Sequence, residues 1–261
     1  MKNNFSTIIM KKYAYLVLGL IITVVVVVVG IILLSKILNS KEKSNTNDSP
    51  IEDDTMLIKS LPIDIQSYNP DTRMAGDFLF TNEEFGFNSV FLDYGFYIPA
   101  SSAGPGRYNP QPTFFAPIGT KVHSIVDGEV THVSKLYSND YSIAVESEDN
   151  SSPYVFELEH VINPTVKVGD RVKAGEVVAE VSDYMTNDPP GLGLVEIGIL
   201  IGGQTPKHTC PFLYLHPDYK DEIIGKLTRF YKDWNAFTGK DIYNLSDYNT
   251  VGCLTIEEIE G

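Results

Sequence analysis

The chain has 261 residues, 43% of them hydrophobic, and a net charge of −14. This suits one medium domain with appendages. All but two of its 34 acidic side chains lie after residue 50, against 14 of its 20 basic ones. A surface so acidic repels nucleic acid and anionic lipid headgroups, which argues against an anionic polymer as the main ligand.

The first predicted element is a membrane anchor. Tyr13 to Ser35 is a run of 23 uncharged residues, long enough at about 1.5 Å per residue to cross a bilayer. Cleaved signal peptides have shorter apolar regions followed by small residues, whereas Gly30 is followed by Ile31-Ile32-Leu33-Leu34. The expectation is a tail over 1–12, an uncleaved single transmembrane helix over 13–38 and a polar, flexible stalk over 39–56. Lysines on both sides of the span leave the charge rule for orientation near a tie. Cys210 and Cys253 are the only cysteines, an even pair that suits one disulfide in an oxidising space. This favours a cell-membrane protein with its C-terminal part outside.

Further along, Phe78 to Ile98 is dense in aromatics, and Phe91 to Ile98 predicts a strand. Ser101 to Pro112 reads as a Gly/Pro loop. Alternating segments then predict strands over 121–126, 129–136, 141–147, 153–160, 171–173, 177–182 and 194–201, with a polar hairpin tip at 149–152. Asp127-Gly128 and Gly169-Asp170 supply turns. From His216 to Phe237, Tyr219, Ile223, Leu227, Phe230, Tyr231 and Trp234 recur at helical spacing, with Pro217 at the start and Gly239 at the stop. The tail is irregular, and Cys253 is expected to pin it to the Cys210 loop. Closing that loop contributes roughly 4 kcal/mol in the entropic description.

Two segments share one grammar. Ala116-Pro117-Ile118-Gly119-Thr120-Lys121-Val122 leads to Asp127-Gly128-Glu129-Val130, and Val166 to Val181 reads V-K-V-G-D-R-V-K-A-G-E-V-V-A-E-V. His160 lies six residues before Val166. Together these resemble the LytM/lysostaphin-type peptidase domain, a barrel-sandwich also called the duplicated hybrid motif. The resemblance covers about Phe91 to Ile201. It implies a mainly β domain over 57–215, with the helix and tail over 216–261 as an extension.

That family holds zinc with a His and an Asp from H-x-x-x-D and the last His of H-x-H, leaving an open water position. Here the first pair falls on Asn109 and Thr113. The second motif falls on Leu192-Gly193-Leu194, followed by Val195-Glu196. The resemblance therefore implies a degenerate domain with no zinc cofactor, a vestigial His160 and no catalytic residue. The leucines turn a polar floor apolar. Burying two of them contributes about 3–5 kcal/mol.

The expected groove has Leu192, Leu194 and Glu196 as its floor, facing His160, and Tyr94, Tyr97 and the 101–112 loop as its rim. Tyr94, Tyr97 and Glu196 are the candidate ligand-binding residues, and the expected ligand is a cell-envelope peptide, glycan or protein. Two other families share the frame. Biotinyl and lipoyl carriers need a modifiable lysine on a hairpin, and Lys135 lacks the flanking Met or Asp. HlyD-type adaptors share anchor, stalk and motif but insert a coiled coil, and Val130 to Val166 contains no heptads. The adaptor and an active metalloendopeptidase with non-standard ligands remain the alternatives. No G-x-S-x-G, Walker or CxxC pattern is present.

Overall fold

The computed structural model describes residues 56–81, 89–101, 104–148, 152–184, 191–202 and 206–261. The span expected over 13–38, the stalk apart from Met56, and the hairpin tip at 149–151 lie outside the described residues. Among the described residues no helix is long and apolar enough to cross a membrane.

The strands, in chain order, are β1 Met74–Ala75, β2 Phe78–Leu79, β3 Phe91–Leu92, β4 Tyr97–Ile98, β5 Arg107–Tyr108, β6 Thr113–Pro117, β7 Lys121–His123 and β8 Gly128–Lys135. There follow β9 Tyr141–Glu146, β10 Tyr154–Ile162, β11 Arg171–Val172, β12 Val177–Val181, β13 Leu192–Ile201, β14 Lys207–His208 and β15 Ile259–Glu260. Among the described residues a single α-helix, α1, spans Pro217–Thr238. The domain is mainly β with one helix, as expected from the alternation pattern.

Eleven of these strands form one antiparallel sheet whose main path runs β11-β8-β9-β10-β13-β14-β15, with β6 also on β13 and β12 also on β10. The seven expected strands form with ends shifted by three residues or fewer. Lys121–Val126 stops early because the Ser124 hydroxyl donates to the Val126 carbonyl and turns the chain. Strand β6 was not anticipated; it hides between a proline loop and the Ala116-Pro117 motif. The strand expected over 91–98 is instead broken into β3 and β4. Gly95 adopts φ +81 between them, and the Phe96 amide folds back onto the Asp93 carbonyl at 3.1 Å.

Helix α1 is bounded as its sequence suggests. The His216 side chain accepts from the Asp218 amide, Pro217 opens the first turn, and Gly239 closes it in the left-handed region at φ +66. Ile223, Leu227, Phe230, Tyr231 and Trp234 form its buried face, whereas Tyr219 is 41% exposed, off that face. The face packs on the aromatic segment. Phe230 meets Phe78 at 4.4 Å, Trp234 meets Phe80 edge-on at 4.9 Å, and Tyr231 stacks on Tyr243 at 4.3 Å between ring centroids.

The tail is tied down at several points. Cys210 and Cys253 are disulfide-bonded. The Tyr94 hydroxyl donates to the carbonyls of His208 (2.8 Å) and Glu257 (2.7 Å), and the Leu254 amide bonds the Tyr94 carbonyl at 3.0 Å. Tyr94 therefore belongs to the core, not to a groove rim. A phenol that bonds one carbonyl on β14 and one in the tail is held inside by them.

Candidate functional site

A cleft of about 780 Å³ opens over one face of β10 and β13. Its position follows from strand register. Glu159 pairs with Glu196, and two residues back along β10, on the same face, Glu157 pairs with Gly198. The opposite face of these strands carries Phe156, Leu158, Ile197 and Ile199, all buried in the core. Period-two alternation thus splits β10 into an apolar face and a carboxylate face.

His160 breaks that alternation. Strand β10 leaves β13 after Glu159 and pairs with β12 from Val161, with a register shift against β9 between Leu158 and Val161. His160 sits at this switch with φ +57. A bulged residue of this kind re-aims its side chain, and here it brings the imidazole to the side of Glu159 and Glu196. The ring is fixed from two directions. Its Nδ1 lies 2.8 Å from Asp140 Oδ2, and it stacks on Tyr184 with centroids 3.9 Å apart and planes 4° apart. Its Nε2 points towards Glu196, 4.0 Å from Oε2. Among the described residues, Glu159, His160 and Glu196 are the one group of three whose potential ligand atoms lie within 4.8 Å of one another.

The electrostatics are those of a crowded acidic floor. Burial raises the Glu196 carboxyl above the usual carboxylate range, with Glu159 adding to the rise and His160, Thr113 and Arg107 opposing it. Burial, with Glu159 and Glu196 adding to the rise, pushes Glu157 up to about 7, opposed by a hydrogen bond from the Ser142 hydroxyl. Tyr184 is raised to about 12, first by its hydrogen bond with Tyr137 and then by burial.

The positions matching the family's zinc ligands are engaged elsewhere. Asn109 Nδ2 donates to Thr113 Oγ1 at 3.3 Å, and the Thr113 hydroxyl donates to Glu196 Oε1 at 3.0 Å. Asn109 and Thr113 are each 2% exposed. Leu194 presents an alkyl group to the cleft. A carboxamide, a hydroxyl and an alkane do not make a zinc ligand set, so these positions do not fit the ion. Leu192, the other leucine of the expected floor, is buried opposite Pro117 and does not line the cleft. Between the two leucines only glycine fits, because a Cβ on Gly193 would meet the Ser182 carbonyl oxygen at 1.7 Å.

The rim comes from Ile98 on β4 and from the Gly/Pro loop, with Ser101, Pro105, Arg107 and Gln111 facing the cleft. Tyr97 is 54% exposed but pairs with Tyr108 at 5.4 Å on the small β4–β5 ribbon, outside the cleft lining. Of the three sequence candidates for ligand binding, Glu196 alone faces the cleft. Glu157, Glu159, Asp140 and Gln111 were not singled out. The Glu157/Glu159 alternation beside His160 was the available signal; Asp140 and Gln111 meet the site only through strand pairing.

Residues 112–195 match the family model for peptidase family M23. No curated protein matches the sequence. Solved structures with a similar course include the catalytic domain of lysostaphin from Staphylococcus simulans, 22% identical, with 43% of this chain and 79% of that one covered and a TM-score of 0.34. The complete lysostaphin is 22% identical, with 48% and 46% covered and a TM-score of 0.36, so this chain spans less than half of its length. A variant catalytic domain of the prophage-encoded M23 protein EnpA from Enterococcus faecalis is 25% identical, with 49% and 93% covered and a TM-score of 0.36. The family-model match runs from β6 to the first residues of β13, ending one residue before Glu196. The match over residues 112–195 therefore supports a LytM-type peptidase domain, similar to peptidase family M23.

Proposed function

We propose that this is a membrane-anchored LytM-like domain that binds a cell-envelope peptide, glycan or protein outside the cell and does not hydrolyse it. One observation carries the reading. Asn109 and Thr113, at two of the family's zinc positions, are hydrogen-bonded to each other, Thr113 also donates to Glu196, and the third position is the aliphatic Leu194. The cleft itself remains, with an oriented histidine, three carboxylates and a loop-built rim. Loss of the ion with retention of the groove is what a binding domain descended from a hydrolase would keep.

The test is zinc content and hydrolysis together. Full-length protein purified in detergent without chelator is expected to carry well under one zinc ion per chain and to leave cell-wall peptides uncut. One zinc per chain with peptide cleavage would establish the metalloendopeptidase alternative, with Glu159, His160 and Glu196 as the ligands to examine first. Protease added to intact cells is expected to remove residues beyond the anchor; protection until lysis would reverse the orientation.

A further inference from the structure

Resting on the binding reading above, we infer that the cleft is a subsite for a free primary ammonium group on an extended peptide whose second carbonyl is held one strand step away. Two independent features of the cavity support this.

The first is the carboxylate rung. Glu159 and Glu196 face each other across β10 and β13, with Glu157 two residues along. Among the described residues neither Glu157 nor Glu159 forms an ion pair, and Glu196 has only the His160 ring at 4.0 Å. Arg107 is the one guanidinium on the cleft lining, against three carboxylates. Carboxylates crowded in a partly buried cleft repel one another, and a bound cation relieves that repulsion. An ammonium fits because it offers three donors to acceptors converging from several sides.

The second feature lies beyond the carboxylates. Gln111 and His208 are 6% and 5% exposed and line the same cleft, yet Gln111 Nε2 and His208 Nδ1 have no hydrogen-bond partner. Both reach the space over Gly198. A Cβ there would lie 3.0 Å from Gln111 Nε2 and 3.3 Å from His208 Nδ1. Burial lowers the His208 pKa to about 4, so its ring is neutral near pH 7. Unpaired buried polar atoms are costly and uncommon. A carbonyl oxygen from a ligand would satisfy Gln111, and glycine at 198 lets both side chains approach the strand this closely.

Gly198 is two residues from Glu196, about 7 Å along the strand. An extended peptide advances by the same step over two residues. Its terminal ammonium at the Glu159–Glu196 rung therefore places its second carbonyl near Gln111 and His208. The strand thus sets both the chemistry and the spacing of the ligand.

The probe is trialanine amide against its N-acetylated form, titrated into full-length protein in detergent and followed calorimetrically. The free-amine peptide is expected to bind at least about tenfold more tightly, the usual scale for one charged hydrogen-bonded group. Glu159→Gln is expected to erase the difference between the two peptides without moving the melting temperature. Gln111→Leu is expected to weaken both peptides alike. Equal binding of the two by the native protein overturns the ammonium subsite and leaves a binding domain standing. Binding of neither at millimolar concentration overturns the subsite as well. Stoichiometric zinc on the same carboxylates, with no peptide bound, overturns both the subsite and the binding function. If Glu159→Gln fails to fold, the comparison of the two peptides on the native protein still decides.

Discussion

Two regions of this domain enclose carboxylates wholly or in part, and they treat them in opposite ways. Under α1, Asp93 is 2% exposed and accepts hydrogen bonds from the hydroxyls of Tyr231 and Tyr248, the latter at 2.8 Å. Every donor there comes from the fold: the helix supplies Tyr231, the tail supplies Tyr248, and Tyr243 stacks beside them. In the cleft, Glu159 and Glu196 face each other beside the His160 ring, Glu196 accepts one hydrogen bond from the Thr113 hydroxyl, and the nearby amide of Gln111 has no partner. A buried carboxylate met by donors from its own chain is structural. One that faces like charges across an open cavity is left for a ligand.

That contrast can be broken from the structural side first. Trp234→Ala would empty the packing of α1 against Phe80 and is expected to cost about 3–5 kcal/mol in chemical denaturation. Retained peptide affinity in the surviving folded fraction would show that the two regions are independent. Removing the Cys210–Cys253 bond by a double serine substitution is expected to cost roughly 4 kcal/mol, since it frees a loop of 43 residues' separation. A denaturation midpoint unchanged by reductant would contradict this, because Tyr94 would then be holding the tail alone.

Asp93 sharpens the comparison through pH. Burial is the largest influence on it and raises its pKa to about 7, against opposing hydrogen bonds from Tyr231 and Tyr248. A raised folded-state pKa means the native state holds the proton more tightly than the unfolded one. The associated stability is complete below about pH 4 and is lost as pH rises towards and through 7. At about 1.4 kcal/mol per unit, the loss is on the order of a few kcal/mol. Asp93→Asn is expected to flatten stability between pH 5 and 8, measured as unfolding free energy at several pH values. An equally steep profile in the variant would assign the slope to other groups, with Glu157 the first to test.

The smallest expected effect is in the cleft. Glu196→Gln keeps an acceptor for Thr113 and removes a charge from a crowded rung, so stability should change by less than about 1 kcal/mol or rise slightly. A loss as large as that of Trp234→Ala would mean the cleft carboxylate is structural, as Asp93 is.

Much of this architecture was legible in the chain. The alternation of Tyr154–Ile162 and Val177–Val181, the helical spacing from Ile223 to Trp234 and the turn glycines mark local geometry, which neighbouring residues alone impose. The replacement of zinc ligands by Asn109, Thr113 and Leu194 was visible once the motif had been placed. The aromatic segment was harder, because Tyr94 and Tyr97 look alike in sequence. One is fully buried and the other is half exposed only because Gly95 turns the chain between them and the tail returns to cover Tyr94.

By itself, then, the sequence determined seven strands from residue 121 onward, the helix, the cysteine pair and the LytM-like frame, since each rests on periodicity or on a motif of adjacent residues. The tertiary structure alone decided which polar groups meet. Asp140 reaches His160 across 20 residues, Glu159 faces Glu196 across two strands, and Gln111 and His208 share the space over Gly198. Such meetings depend on register and on a bulge at one residue, where a shift of a single position turns a side chain to the opposite face.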